Sequence, residues 1–309
     1  MTACHSPISH LPPQTDLMKP HWVGRGVDLT PLKATIKRHW VPRKLDFERL
    51  EANEASTIGL NLRRCRLALQ AHQYEIAALL NVSRTQYRNY EDGRHQLRLL
   101  TTAQYMMRTG IPLHYLLAGS CYEHLFSHLT LRREFLPLQS YVGRCSDGAF
   151  NGLAALLCHQ LELDQAAPPE LELHWPENSQ IDAELDAYYQ IIGEGLYQLR
   201  QIVGIGQEEL AELLGITYST LSAYERNRLQ GVRQFGTHMA MRLWAATGIN
   251  PLWITCGSHF YARRWLQHLR MEYLHGLFSR HPDSLLHQVQ QVVQQLPGVA
   301  WPGEIQGHG

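Results

Sequence analysis

Apolar residues recur every three or four positions along almost all of this chain, the spacing that lines one face of an α-helix. Ile76, Leu79 and Leu80 make one such stripe, Asn81 interrupts it, and Val82, Tyr87 and Tyr90 supply the next. The same figure returns as Leu210, Leu213 and Leu214, then Gly215, then Ile216, Leu221 and Tyr224. Asn and Gly tolerate a left-handed backbone, so each interruption predicts a tight turn between two short helices. Ser83 and Thr217 stand where the second helix of each pair needs an N-cap. Ala77 and Ala211 stand where the paired helices approach closest and a larger side chain would wedge them apart. Further on, Leu285, Leu286, Val289, Val292, Val293 and Leu296, spaced by Gln, predict a helix with one apolar face that closes the chain's own core or a dimer. Period-two alternation is confined to pieces such as Leu171 to Trp175. The expected fold class is all-α.

The two figures are related by an internal repeat. Residues 62–94 match residues 196–228 at an offset of 134, with 10 of 33 positions identical: Leu62/Leu196, Arg66/Arg200, Gln73/Gln207, Glu75/Glu209, Ala77/Ala211, Leu79/Leu213, Leu80/Leu214, Tyr90/Tyr224, Glu91/Glu225 and Arg94/Arg228. After a four-residue insertion the offset is 138, where Thr109-Gly110-Ile111 matches Thr247-Gly248-Ile249 and Gly119-Ser120 matches Gly257-Ser258. Such self-similarity predicts one structural unit used twice. Pro168, Pro169 and Pro176 lie among acidic and polar residues, so 164–180 reads as a helix-breaking linker. Beyond it, Ser179 with Asp182 three residues on resembles a capping box opening a helix toward Val203. The expected organisation is a flexible, partly basic N-terminal arm (1–45), a first domain with accessory helices (46–163, core 58–119), the acidic linker (164–180), a second domain with accessory helices (181–296, core 192–257) and a flexible tail (297–309).

Composition excludes more than it identifies. The 309 residues carry 28 Lys+Arg against 28 Asp+Glu, yet the balance is uneven along the chain. Residues 58–119 hold eight basic and three acidic groups, whereas 120–192 hold three basic and eleven acidic. The acidic run 162–186 reads as a solvated surface, a partner contact or a shield for the basic face. No run of 18 apolar residues occurs, and Met1 to Gln14 has neither a basic start nor an apolar core, so neither a membrane span nor a secretory signal is expected. Cys4, Cys65, Cys121, Cys145, Cys158 and Cys256 are scattered without a CxxC pair and read as reduced thiols. His275, His281 and His287 are six apart, a spacing that does not bring three rings to one metal on a helix, so no metal or cofactor is expected. No P-loop, nucleophile elbow, HExxH or Ser-Lys pattern is present, so no catalysis is expected.

The segments LNLRRCR, QYEIAALLNVSRTQYRNYEDGR and TGIPLHYLLAG, with their partners LYQLRQI, QEELAELLGITYSTLSAYERNR and TGINPLWITCG, resemble the Cro/CI-like (XRE) family of helix-turn-helix regulators in both copies. The resemblance covers about 58–119 and 192–257, and it implies a cytoplasmic, double-stranded-DNA-binding transcription regulator, nucleoid-associated when bound. It implies structural ion pairs Arg66 with Glu91 and Arg200 with Glu225. It places Arg84, Thr85, Gln86, Arg88 and Asn89 on base edges, with Gln73, Ser83, Arg94 and Arg98 on phosphates. In the second copy Tyr218, Ser219, Thr220 and Ala223 take the base positions, and Gln207, Thr217, Arg226 and Arg228 the phosphate positions. That copy has no Arg on its reading face, and Asn227 replaces the family's Gly, so it reads either as a second DNA contact or as a packing domain.

Two arrangements fit this pattern. One chain bends as an intramolecular pseudo-dimer so that both units grip successive major-groove faces, or the chain forms a homodimer with one unit per half-site. A different class of function is a protein–protein module, antitoxin-like or an assembly partner, whose helix-turn-helix units are structural.

Overall fold

A computed structural model describes residues 28–126, 133–160, 177–230, 233–255 and 258–278. The residues 1–27, most of the 164–180 linker including the Leu171–Trp175 alternation, the helix expected over 285–296 and the tail 297–309 lie outside them. The fold is all-α. In chain order the helices are α1 (Lys33–His39), α2 (Phe47–Leu50), α3 (Glu54–Ala68), α4 (Gln73–Leu79), α5 (Arg84–Glu91), α6 (Leu99–Thr109), α7 (Leu113–Leu116), α8 (Leu136–Val142), α9 (Asp147–Gln160), α10 (Asn178–Asp186), α11 (Tyr188–Val203), α12 (Gln207–Leu213), α13 (Tyr218–Gln230), α14 (Thr237–Thr247), α15 (Leu252–Thr255) and α16 (Ser258–Phe278). Among the described residues the single β feature is an antiparallel bridge between Arg98 and Gly236.

The run α3–α7 and the run α11–α15 have the same order and the same packing partners. In each, the first helix packs on the third and on the fifth, and the second on the third. Their backbones also turn left-handed at corresponding places: Gln70 and Gly204, Asn81 and Gly215, Gly110 and Gly248 all have positive φ. A close approach common to both runs falls at Gly59 and Gly193, where a Cβ would lie 2.5 Å from the Tyr90 carbonyl oxygen and 2.8 Å from that of Tyr224. Only the absence of a side chain lets α3 and α11 seat against the helix that follows the turn.

One apolar core runs through both halves, from Leu62, Ile76 and Tyr87 to Leu196, Leu210 and Trp253, all buried. A smaller core joins α8 and α9 to the end of α16, with Phe150, Leu153, Met271 and Leu274 at its centre. Arg270 of α16 is buried there and donates through Nη1 to the carbonyl oxygens of Val142 (3.2 Å) and Cys145 (3.0 Å). The expected division into 46–163 and 181–296 therefore does not separate two cores, because the helix following the second unit completes the packing of the helices following the first.

Three expectations need correction. In the arm expected to be flexible over 1–45, the described residues 28–45 pack on the fold: Leu29, Leu32 and Ile36 form a 3-and-4-spaced stripe, all buried, against α11. The Leu29 N–H donates to Gln198 Oε1 (2.8 Å), and the Val41 and Arg43 N–H groups donate to carbonyls at the end of α14. The capping box expected at Ser179 and Asp182 lies elsewhere: Glu177 is the N-cap, with its N–H donating to Gln180 Oε1 (3.0 Å), and the helix toward Val203 breaks at Ala187. Asp182 instead pairs with Arg108 (2.8 Å). Part of the acidic run also serves the fold, since Glu184 accepts the N–H groups of His259 (2.9 Å) and Phe260 (2.8 Å), which open α16.

Cys65, Cys145 and Cys158 are buried free thiols and Cys121 is a half-buried one. Burial pushes Cys65 up to about 12 and Cys145 up to about 11.

Candidate nucleic-acid interface

The helix pair α4–α5 is set by burial on one side and a polar lock at its end. Ile76, Ala77 and Leu80 of the first helix and its turn meet Tyr87 and Tyr90 of the second, all nearly inaccessible. Ser83 caps α5 by accepting the Gln86 N–H (3.1 Å). Arg66 grips Glu91 with two bonds, Nε to Oε1 (2.6 Å) and Nη2 to Oε2 (3.1 Å), while Nη1 donates to the Ala71 carbonyl (3.0 Å). Gln73 adds a third donor to the same carboxylate (2.8 Å). Burial raises the Glu91 carboxyl, but hydrogen bonds from Arg66 and Gln73 and the Arg66 charge outweigh it and hold the group below its ordinary value.

The second pair repeats this construction. Arg200 donates to Glu225 through Nε (2.9 Å) and Nη2 (3.0 Å) and to the Ile205 carbonyl through Nη1 (3.3 Å), and Gln207 donates to Glu225 (2.7 Å). Thr217 caps α13 by accepting the Thr220 N–H (3.2 Å). Gln73 and Gln207, expected on phosphates, thus have their side-chain amides turned onto the buried carboxylates.

The outer faces differ. On α5, Arg84, Thr85 and Arg88 are exposed, and Gln86 and Asn89 are half-buried. Gln86 donates to the Tyr90 hydroxyl (2.7 Å), which draws it toward the core side. Arg94 and Arg98 are exposed beyond the helix, with Arg94 near Asp92 (3.9 Å). On α13, Tyr218 and Ser219 are exposed, Thr220 and Ala223 half-buried, and the Ser219 and Thr220 hydroxyls gather on Thr217 (3.0 and 2.9 Å). Arg226 and Arg228 are exposed, and the Arg228 guanidinium lies 4.0 Å over the Tyr197 ring. The helices also end differently. Gly93, at φ +67°, stops the first pair soon after Glu91, whereas Asn227 stays helical and α13 runs on to Gln230. The buried Asn227 amide closes the next loop on the Arg233 carbonyl (2.5 Å) and N–H (2.6 Å).

The halves meet at corresponding residues. The Leu99 N–H donates to the Phe235 carbonyl (2.8 Å) and the Thr237 N–H to the Leu97 carbonyl (3.0 Å). Residues 97, 98 and 99 correspond to 235, 236 and 237 at the offset of 138, so exchanging the halves exchanges the two bonds, a local two-fold relation. Arg98 stands at that axis. Thr102 and Thr237 share a buried hydroxyl bond (2.7 Å) beside it.

Sequence reasoning missed a further clamp. Arg242 of α14 grips Glu51 with Nε (2.9 Å) and Nη2 (2.6 Å), reaches the Leu214 carbonyl at the second turn (3.2 Å), and lies 4.7 Å over the Phe47 ring. Tyr122 donates its hydroxyl to the same Glu51 carboxylate. The repeat carries no signal of it, because Gln104 and Leu185 stand at the corresponding positions. Gly59 and Gly193, by contrast, lie three residues before the matched block and were within reach of the sequence.

Residues 196–243, from the second half of α11 into α14, match the helix-turn-helix family, so the chain contains a helix-turn-helix domain there. No curated protein and no solved structure matches the chain. No described helix is long and apolar enough to cross a membrane, and no group of three or more His, Cys, Asp or Glu among the described residues is placed to hold a metal ion.

Proposed function

We propose that the chain is a sequence-specific double-stranded-DNA-binding transcription regulator of the Cro/CI-like kind. In this reading both helix pairs are helix-turn-helix units, descended from a duplicated unit and joined as an intramolecular pseudo-dimer. The observation that carries it is the outer face of α5: Arg84, Thr85 and Arg88 stand free to solvent on a helix whose opposite face is fixed by Tyr87, Tyr90 and the buried Arg66–Glu91 pair. Arg offers guanine a bidentate fork and Asn89 can do the same for adenine, each good pair giving about 1–3 kcal/mol of discrimination. Arg94 and, at the axis, Arg98 suit the sugar–phosphate backbone between the two half-sites.

The main-chain pairing of 97–99 with 235–237 supports a single chain spanning two major-groove faces about 34 Å apart. The second unit reads with Tyr218, Ser219, Thr220 and Ala223 and holds phosphates with Arg226 and Arg228. The target is therefore an imperfect palindrome, with one half-site read strongly and the other weakly.

Selection from random duplexes, followed by footprinting and measurement of chains bound per duplex, tests this. The expected result is two half-sites of unequal information occupied by one chain, with binding that falls steeply as salt rises. Little duplex affinity at physiological salt would point instead to a protein–protein module. One chain per half-site would overturn the pseudo-dimer.

A further inference from the structure

On the local two-fold axis, between α6, α14 and α16, lies a cavity of 350 Å³. Two of its walls come from corresponding positions of the halves: Met106 matches Trp244, and residues 112–114 match 250–252. The third wall is one face of α16, where His268 Nε2 lies 3.3 Å from Glu272 Oε1. The volume lies within the range of pockets that enclose small organic ligands, and a mostly apolar lining with a minority of polar groups is their usual make-up. Thioethers at Met106 and Met241 adapt to ligand shape, and the indole of Trp244, met edge-on by Phe126 at 5.1 Å, offers a flat surface. At the polar side the charges of Arg264 and Glu272 offset each other, which favours an uncharged head.

We propose that this cavity binds a small neutral amphipathic molecule, its apolar body between Met106 and Trp244 and its hydrogen-bonding head toward His268 and Glu272. Because the site straddles the axis, an occupant sets the angle between α5 and α13 and hence the fit to two half-sites. That consequence rests on the pseudo-dimer reading, whereas binding itself does not.

The test is fluorescence titration of the full chain with N-phenyl-1-naphthylamine, a neutral apolar probe. Saturation at one probe per chain is expected. Leu252→Trp and Leu113→Trp fill the cavity from its two matched walls, at half-buried positions, and each should weaken probe binding at least tenfold with melting unchanged. Leu67→Trp, on the exposed side of α3, should leave it unaltered. Where a Trp variant fails to fold, Phe at the same position reads the same loss. Absent or unsaturable probe binding, or full binding by both filled variants, overturns the site. Duplex affinity, read separately, should shift at least threefold on probe saturation in the parent and not in Leu252→Trp, and no shift in the parent overturns the coupling. A chain that takes the probe but no duplex refutes the DNA reading and leaves the site standing.

Discussion

Arg66→Met isolates the polar lock of the first helix pair. The substitution keeps a side chain of similar length in the core but leaves the Glu91 carboxylate, 6% exposed, with no cation beside it and Gln73 as its main donor, and strips the Ala71 carbonyl of its partner. Breaking a buried ion pair from one side costs about 3–5 kcal/mol, because the surviving charge stays desolvated. At roughly 2–4 °C per kcal/mol for large domains, melting should fall by about 6–20 °C. Denaturant and thermal unfolding followed by circular dichroism at pH 7 measure it. The double variant Arg66→Met/Glu91→Leu should regain most of the loss, since no buried charge is left behind. Acid supplies a further check. In the parent, Glu91 sits below its ordinary value, so its contribution is complete above the unfolded carboxyl's pKa and is lost as pH falls through the lowered one. In Arg66→Met the burial is opposed chiefly by Gln73, the carboxyl protonates at higher pH, and the gap between variant and parent narrows toward pH 4. A loss at pH 7 below about 1 kcal/mol, or a double variant no more stable than the single one, would refute the argument.

Arg84→Ala and Arg88→Ala should each relax preference at one base pair by about 1–3 kcal/mol with melting unchanged, and identical sites selected by parent and variants would remove α5 as the reader. Arg242→Met strands Glu51, whose side chain is 7% exposed, and should cost about 3–5 kcal/mol and speed proteolysis between α2 and α3, while unchanged cleavage would deny Arg242 its clamping role. His124, His238 and His268 are all held below the ordinary imidazole value of 6.5, chiefly by burial. Their neutral forms are the ones the fold accommodates, so stability should be complete above that value and decline as pH drops below it; denaturant midpoints equal at pH 7.5 and 5.5 would contradict this. Gly59→Ala and Gly193→Ala should each cost about 1–3 kcal/mol by forcing a Cβ against backbone oxygen, read as a shift in denaturant midpoint.

The local chemistry of this protein was legible in its residues. The stripes Ile76, Leu79, Leu80 and Leu210, Leu213, Leu214, the left-handed breaks at Asn81 and Gly215 and the caps at Ser83 and Thr217 are short-range features, and short-range periodicity records them. The resemblance, not the spacing, placed Arg84, Thr85, Gln86, Arg88 and Asn89 outward on α5; Arg84, Thr85 and Arg88 are exposed there, while Gln86 and Asn89 are half-buried, Gln86 being held by the Tyr90 hydroxyl. Even the docking of residues 28–36 had a sequence trace in Leu29, Leu32 and Ile36, obscured by the Pro- and His-rich stretch that precedes it.

What the tertiary structure decided is how the halves face each other. Periodicity names a helix's buried side without naming what covers it, so the pairing of Leu97 and Leu99 with Phe235 and Thr237, the clamp of Arg242 on Glu51 across 191 positions, and the cavity closed by α16 were invisible to it. Each depends on a match of shape and charge between surfaces far apart in the chain, and neither surface shows in its own residues which partner it will meet.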